Sequence, residues 1–296
     1  MKKLLVLLTA VMAFALYAWV HQLIFGLGVT GMNKPVFWGL YIVTFVFFIG
    51  ISSGGIAVAS LSHLGGIEEF KSVSRISEVV AIISLILAML AITFDLGRPD
   101  RLLHLFIYPN FLSPIIWDIV VINIYFVLCA AMLFFSIKGN KRWLKIFATI
   151  SIPAFVLVHS ITAWIFGLIK SQPGWHTSIL APLFVVSALV SGLALIILTL
   201  IFSKKVLPGF NIEDKVVISL GRYLKILLPI LFYFLFSEFL TIIFAGIPAH
   251  IAVLKGLFIQ IFWFDIVMGI LIPFFIIISN LGKTVKGVGL ASLLAC

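Results

Sequence analysis

Eight long apolar runs, separated by short polar connections, constrain this chain more than any single motif. They lie at about 4–27, 36–62, 76–97, 114–136, 144–169, 178–203, 220–245 and 256–279, and a ninth begins near Val285. A helix needs roughly 20 apolar residues to cross about 30 Å of hydrocarbon, so each run has the length of a membrane span. With 63% hydrophobic and only 10% charged residues, the chain has too little polar surface to cover a soluble core of its size. The expected fold class is therefore an all-α integral membrane protein of about eight to nine transmembrane helices. The first run follows Lys2 and Lys3 and has the basic head and apolar middle of a signal peptide. It nevertheless continues past Trp19 to Leu27 without a clear small-x-small cleavage site, and is read as a peripheral N-terminal helix.

Orientation follows the basic residues. An N-terminus on the cytoplasmic side puts fifteen of the twenty Lys and Arg residues on that side, including Lys71, Arg75, Lys138, Lys141, Arg142, Lys204, Lys205 and Lys215. Lys34, Arg98, Arg101, Lys170 and Lys255 fall on the other. The expected location is the inner (cytoplasmic) membrane. The formal net charge of +10 then reports topology and an anionic leaflet, not nucleic acid. Cys129 and Cys296 give no disulfide framework and no cluster for iron–sulfur or zinc, so a redox metal is expected in a partner.

Short connections force neighbouring helices to pack as antiparallel pairs. The longest, Ser203 to Ser219, carries Pro208-Gly209 and Glu213-Asp214-Lys215 and reads as a linker between two halves. The second run holds Ser52-Ser53-Gly54-Gly55 and the sixth Ser191-Gly192; the fourth holds Trp117-Asp118 and the eighth Trp263-Phe264-Asp265. These recurrences suggest duplication of a four-helix unit, although small residues at helix contacts and interfacial Trp are common in membrane proteins. The expected organisation is an N-terminal helix and loop at 1–35, a first four-helix bundle at 36–177 and a second at 178–296, the last possibly truncated.

Most of the interpretable chemistry lies between Thr93 and Tyr125. Asp95 and Arg98 close the third run, and Asp118 sits about one turn into the fourth. Ionisable groups at the edge of an apolar helix are costly and usually face a bundle interior or cavity. Asp95 and Arg98 could simply form a helix-end ion pair. Asp118 has no cation within reach in its own helix, which calls for a raised pKa or a polar ligand. His159, near the middle of the fifth run, has Ser160 and Thr162 as nearby hydrogen-bonding neighbours. Glu78 could start a proton path or snorkel to the interface, and His176 follows Pro173-Gly174-Trp175. Glu238 and Asp265 mirror the first-half carboxylates. A bis-histidine haem is a poor fit, because His21, His63, His104, His176 and His250 map near interfaces and His159 lacks a partner at its depth.

FFIGISSGGIAVAS, FDLGRPDR, SPIIWD, HSITAW and PGWHTSILAPLFVVSALVSGLAL, in that order over about residues 36–280, resemble the NrfD/polysulfide-reductase membrane-subunit family. The nearest branch is that of the HybB-type hydrogenase subunits and the quinol-oxidising subunit of alternative complex III. The resemblance implies a haem-free, quinone-reactive anchor of two four-helix bundles, with menaquinone preferred. It also implies an extracytoplasmic ferredoxin-like [4Fe-4S] subunit, connected to a hydrogenase, molybdopterin enzyme or cytochrome. Carried over residue by residue, Asp95, Arg98, Trp117, Asp118, His159 and His176 match the quinone-binding pattern. His159 and Asp118 would exchange the protons, while Arg98 would hold Asp95 ionised. Ser52, Ser53, His63 and Glu78 could lead protons to the pocket. Family members often carry an acidic residue shortly after the HS motif, where this chain has Trp164-Ile165-Phe166. A secondary transporter with internal repeats, or an inert anchor, would share the hydropathy pattern. The first lacks paired Gly/Pro breaks here, and the second leaves Asp118 and His159 unexplained.

Overall fold

The computed structural model describes residues 2–32, 38–65, 70–169, 172, 175–207, 209–257 and 263–296. Lys34, Lys170, Pro173-Gly174, Pro208 and the 258–262 portion of the eighth run lie outside the described residues. Every long element is a helix: α1 (Lys2–Phe25), α2 (Leu40–Leu64), α3 (Lys71–Asp95), α4 (Pro114–Lys138), α5 (Lys141–Gly167), α6 (Leu180–Val206) and α7 (Asp214–Ala245). Among the described residues these seven are long and apolar enough to cross a membrane. The eighth run differs from expectation: its described part is a π-helical turn, Asp265–Leu271, continued by a short α-helix, Ile272–Ile278. The ninth forms as Val285–Ala295, with the Thr284 hydroxyl accepting from the Gly287 amide at its start.

The chain divides into two compact units. Met1–Phe48 with Ile86–Asn110 form one, and Ile49–Leu85 with Phe111–Cys296 the other. In the first, α1 is apolar all round and largely exposed, as suits a lipid-facing helix. It is anchored through Gln22, whose Nε2 donates to the Phe94 carbonyl at 2.7 Å and whose Oε1 accepts from the Tyr41 hydroxyl at 2.9 Å.

In the second unit, α4 buries Asp118, Ile122, Tyr125, Cys129 and Met132, a stripe at helical spacing that packs on α5. Gly139 turns the chain at φ 69°, and the Asn140 side chain accepts from the Trp143 amide to open α5, so the pair is antiparallel. The main apolar core gathers Val58, Val73, Leu193, Ile196, Leu200, Leu220, Leu224, Ile277 and Val288 from α2, α3, α6, α7 and the C-terminal helices. α2 meets α6 where Gly54 lies on Gly192, so close that a methyl group on either would fall into the other's backbone. Small residues at such crossings replace the hydrophobic drive that lipid cannot supply.

Candidate functional site

Three helices of the second unit converge on one polar region. Asp118, one turn into α4, is 6% exposed, and one of its carboxylate oxygens accepts from the Thr162 hydroxyl of α5 at 2.7 Å. That hydroxyl also lies 3.0 Å from the Val158 carbonyl of its own helix. Thr162 is three residues beyond His159, so the two share a face of α5, with Cβ atoms about 5–6 Å apart. His159 is 2% exposed. Its Nδ1 lies 3.0 Å from the Phe155 carbonyl and 3.2 Å from Ser53 Oγ of α2. A carbonyl only accepts, so Nδ1 carries the hydrogen and, in the neutral ring, Nε2 carries the lone pair. Nε2 is buried with no hydrogen-bond partner among the described residues. Leaving such an acceptor unpaired costs about 1–3 kcal/mol, and a hydrogen-bond donor reaching Nε2 would recover it.

Two turns deeper in the stripe, Tyr125 is fully buried and its hydroxyl lies 3.4 Å from Ser52 Oγ, a long contact. Thr162 and Tyr125 are what sequence reasoning left without roles. Thr162 was visible only as a neighbour of His159, and its service to Asp118 depends on the α4–α5 register.

The other candidates lie elsewhere. Trp117 is 39% exposed, and its Nε1 donates to the Phe111 carbonyl at 2.7 Å, stapling the turn that precedes α4. His176 is exposed and donates from Nδ1 to the Gly167 carbonyl at 2.7 Å, closing the connection after α5. Gly167 is eight residues beyond His159, about 12 Å along the helix. Beside it, Thr177 donates to Glu238 of α7 at 2.9 Å.

Asp95 and Arg98 belong to the first unit. The expected pairing between them is not formed: Arg98 donates from Nε and Nη2 to Asp100 at 3.0 and 2.9 Å, a fork closed within the Pro99 turn. This exposed pair holds the Asp100 carboxyl below its usual range and raises the Arg98 guanidinium, in each case first through the side-chain hydrogen bond. Asp95 keeps one buried oxygen without a partner among the described residues.

Glu78 does not snorkel. It is fully buried and binds His63 Nε2 at 2.8 Å, leaving its second oxygen buried and unpartnered among the described residues, as are the hydroxyls of Ser60 and Ser62 on α2.

Residues 28–296 match the profile of the polysulphide reductase, NrfD family. The chain belongs to the NrfD family. Among the relatives of this NrfD-family chain is a protein of Halobacterium salinarum that carries the provisional name of a dimethyl sulfoxide reductase membrane subunit. It is 31% identical over 243 residues, 75% of this chain and 56% of that protein. The Hdr-like menaquinol oxidoreductase integral membrane subunit of Archaeoglobus fulgidus is 30% identical over 286 residues, 93% of this chain and 70% of that one. A selenate reductase subunit of Mesobacillus selenatarsenatis is 26% identical over 313 residues, 90% of this chain and 72% of that one. The chain thus spans only about half the length of the Halobacterium relative. All five stretches that carry the sequence resemblance fall inside the matched residues.

Proposed function

We infer that this chain is the quinone-reactive membrane subunit of a respiratory oxidoreductase complex. The observation that carries the reading is His159 Nε2, a buried acceptor without a partner among the described residues, one helical turn from the Thr162 that holds the Asp118 carboxylate. A quinol hydroxyl is a donor of the kind Nε2 lacks. The kinship with a menaquinol oxidoreductase subunit supports menaquinone as the form used.

A bound quinone supplies the two-electron, two-proton chemistry. The chain's own residues orient the headgroup and handle its protons. Phe155 and Ser53 fix the tautomer of His159 so that Nε2 can take a proton, and Thr162 holds the Asp118 carboxylate in place as a second acceptor. An imidazole nitrogen and a carboxylate oxygen are both groups that take up and return protons, so the pair offers two acceptors for the two protons of a quinol. Tunnelling from a docked [4Fe-4S] subunit would bring or remove the electrons, and a hydrogenase, molybdopterin enzyme or cytochrome would complete the complex. In this reading the chain is multi-pass in the cytoplasmic membrane with its N-terminus inside, residues 36–177 form the bundle bearing the site and residues 178–296 the second. Trp117 and His176 shape the rim of the pocket. The buried His63–Glu78 pair and the α2 hydroxyls of Ser62, Ser60, Ser53 and Ser52 form a polar trail along α2 that suits delivery of protons and proton translocation. Its span, from His63 to Ser53, is about 15 Å at the helical rise.

The test is quenching of a fluorescent quinol-site inhibitor by the purified chain. Saturable binding that is lost in Asp118→Asn and in His159→Leu, both still cooperatively unfolding, supports the site. Undiminished binding in both variants overturns it.

A further inference from the structure

The Asp118–His159 site leaves unused a group of cavities at the opposite end of the second unit, where α3 and α7 begin and α4 and α6 end. Two cavities there share Phe210. One, of about 680 Å³, is lined by Arg75 with the hydroxyl residues Ser74 and Ser136, beside the apolar Ile76 and Val79. The other, of about 410 Å³, is lined by Lys204, Lys205, Gly209 and Asn211.

The acids of the adjoining connection are already engaged. Asp214 accepts from Lys204 at 2.7 Å, and Glu213 pairs with Lys215 at 2.8 Å. Among the described residues no carboxylate pairs with Arg75 or Lys205. The lining therefore keeps one cation on each of two open cavities, Arg75 beside the hydroxyls of the larger and Lys205 on the smaller. Arg75 is in the second turn of a membrane-spanning helix, and Val79, one turn deeper, is exposed on it. A positive, hydroxyl-rich mouth above an apolar wall at hydrocarbon depth has the chemistry of a phosphate ester carrying fatty chains.

We propose that the two cavities meeting at Phe210 bind the headgroup phosphate of an anionic membrane phospholipid, with Arg75 and Lys205 on the phosphate and an acyl chain along Ile76 and Val79. A soluble phosphate would use the cations alone and leave the apolar wall without a role. The fork of Arg75 can take two phosphate oxygens, while Lys205 acts as a point charge.

The experiment is native mass spectrometry of the delipidated full chain in detergent, titrated separately with phosphatidylglycerol, phosphatidylcholine and inorganic phosphate. Phosphatidylglycerol should be retained in preference to phosphatidylcholine, and phosphate alone should not compete. At about five-fold per cation, Arg75→Gln with Lys205→Gln should weaken retention about 25-fold. Ser136→Leu, which keeps both charges but fills the larger cavity, should also lose the lipid. Lys141→Gln with Arg142→Gln, at the same end but outside both cavities, should retain it. Equal retention of phosphatidylcholine, competition by phosphate alone, or an equal loss in the Lys141–Arg142 pair would overturn the assignment.

Discussion

Trp117-Asp118 on α4 and Trp263-Phe264-Asp265 near the C-terminus read in the sequence as two copies of one motif, yet the second unit treats them differently. Asp118 is buried, continues into a regular helix and is met by a hydroxyl from α5. Asp265 is exposed and opens a π-helical turn. A carboxylate at the edge of an apolar helix is thus only half of a site. The other half is a neighbouring helix that offers polar groups at the matching depth, and α5 does so through His159 and Thr162, one turn apart. A π-helical turn adds a residue to the hydrogen-bonded ring and shifts the register of the residues beyond it, so Asp265 begins a different surface.

Four substitutions sharpen this contrast, from the largest effect to the smallest. Gly54→Val drives a branched side chain into the Gly192 backbone, and should cost about 3 kcal/mol or more, at the upper end of overpacking effects. Thermal unfolding of the purified chain would show it as a lower midpoint or as loss of the folded species. His159→Leu, which removes the buried Nε2 acceptor, should weaken binding of a quinol-site inhibitor by about 10- to 100-fold, the equivalent of about 1–3 kcal/mol. Fluorescence titration would measure that. Thr162→Val keeps the shape and deletes the bond to Asp118; a hydrogen bond to a charged group is worth about 1.5–3 kcal/mol, so inhibitor affinity should fall about ten-fold. Isothermal titration checks it. Asp265→Asn should change stability by no more than about 0.5 kcal/mol and leave inhibitor affinity unchanged. A loss there comparable to that of Asp118→Asn would erase the distinction between the two motifs.

Most of the fold was legible because the length and hydropathy of a span are local properties. The seven long helices fall close to the runs that composition marks out, and the same logic singled out Asp118 and His159 as ionisable groups in apolar surroundings. What the sequence left open depends on the register between helices. Ser160 is adjacent to His159 in sequence and Thr162 three residues on, yet it is Thr162 that reaches α4, while Ser160 donates to the Val156 carbonyl of its own helix. Glu78 could have reached the interface, and His63 on the neighbouring helix holds it inside instead. Arg98 had two carboxylates within reach, and Asp100, across one proline-bounded turn, forms a fork that Asp95 at the helix end does not. In the eighth run the apolar content predicts a helix but carries no signal for the π-helical turn, because hydropathy does not encode which carbonyl an amide selects.

The crossing of Gly54 and Gly192 has a mechanical consequence. Where side chains separate two helices, a change of rotamer can absorb small displacements. Here backbone rests on backbone with nothing between. Ser53, which reaches His159, is the residue directly before that fulcrum. Any breathing of the bundle is therefore levered about a fixed point beside the histidine, with the helix ends sweeping the larger arcs and the middle held almost still.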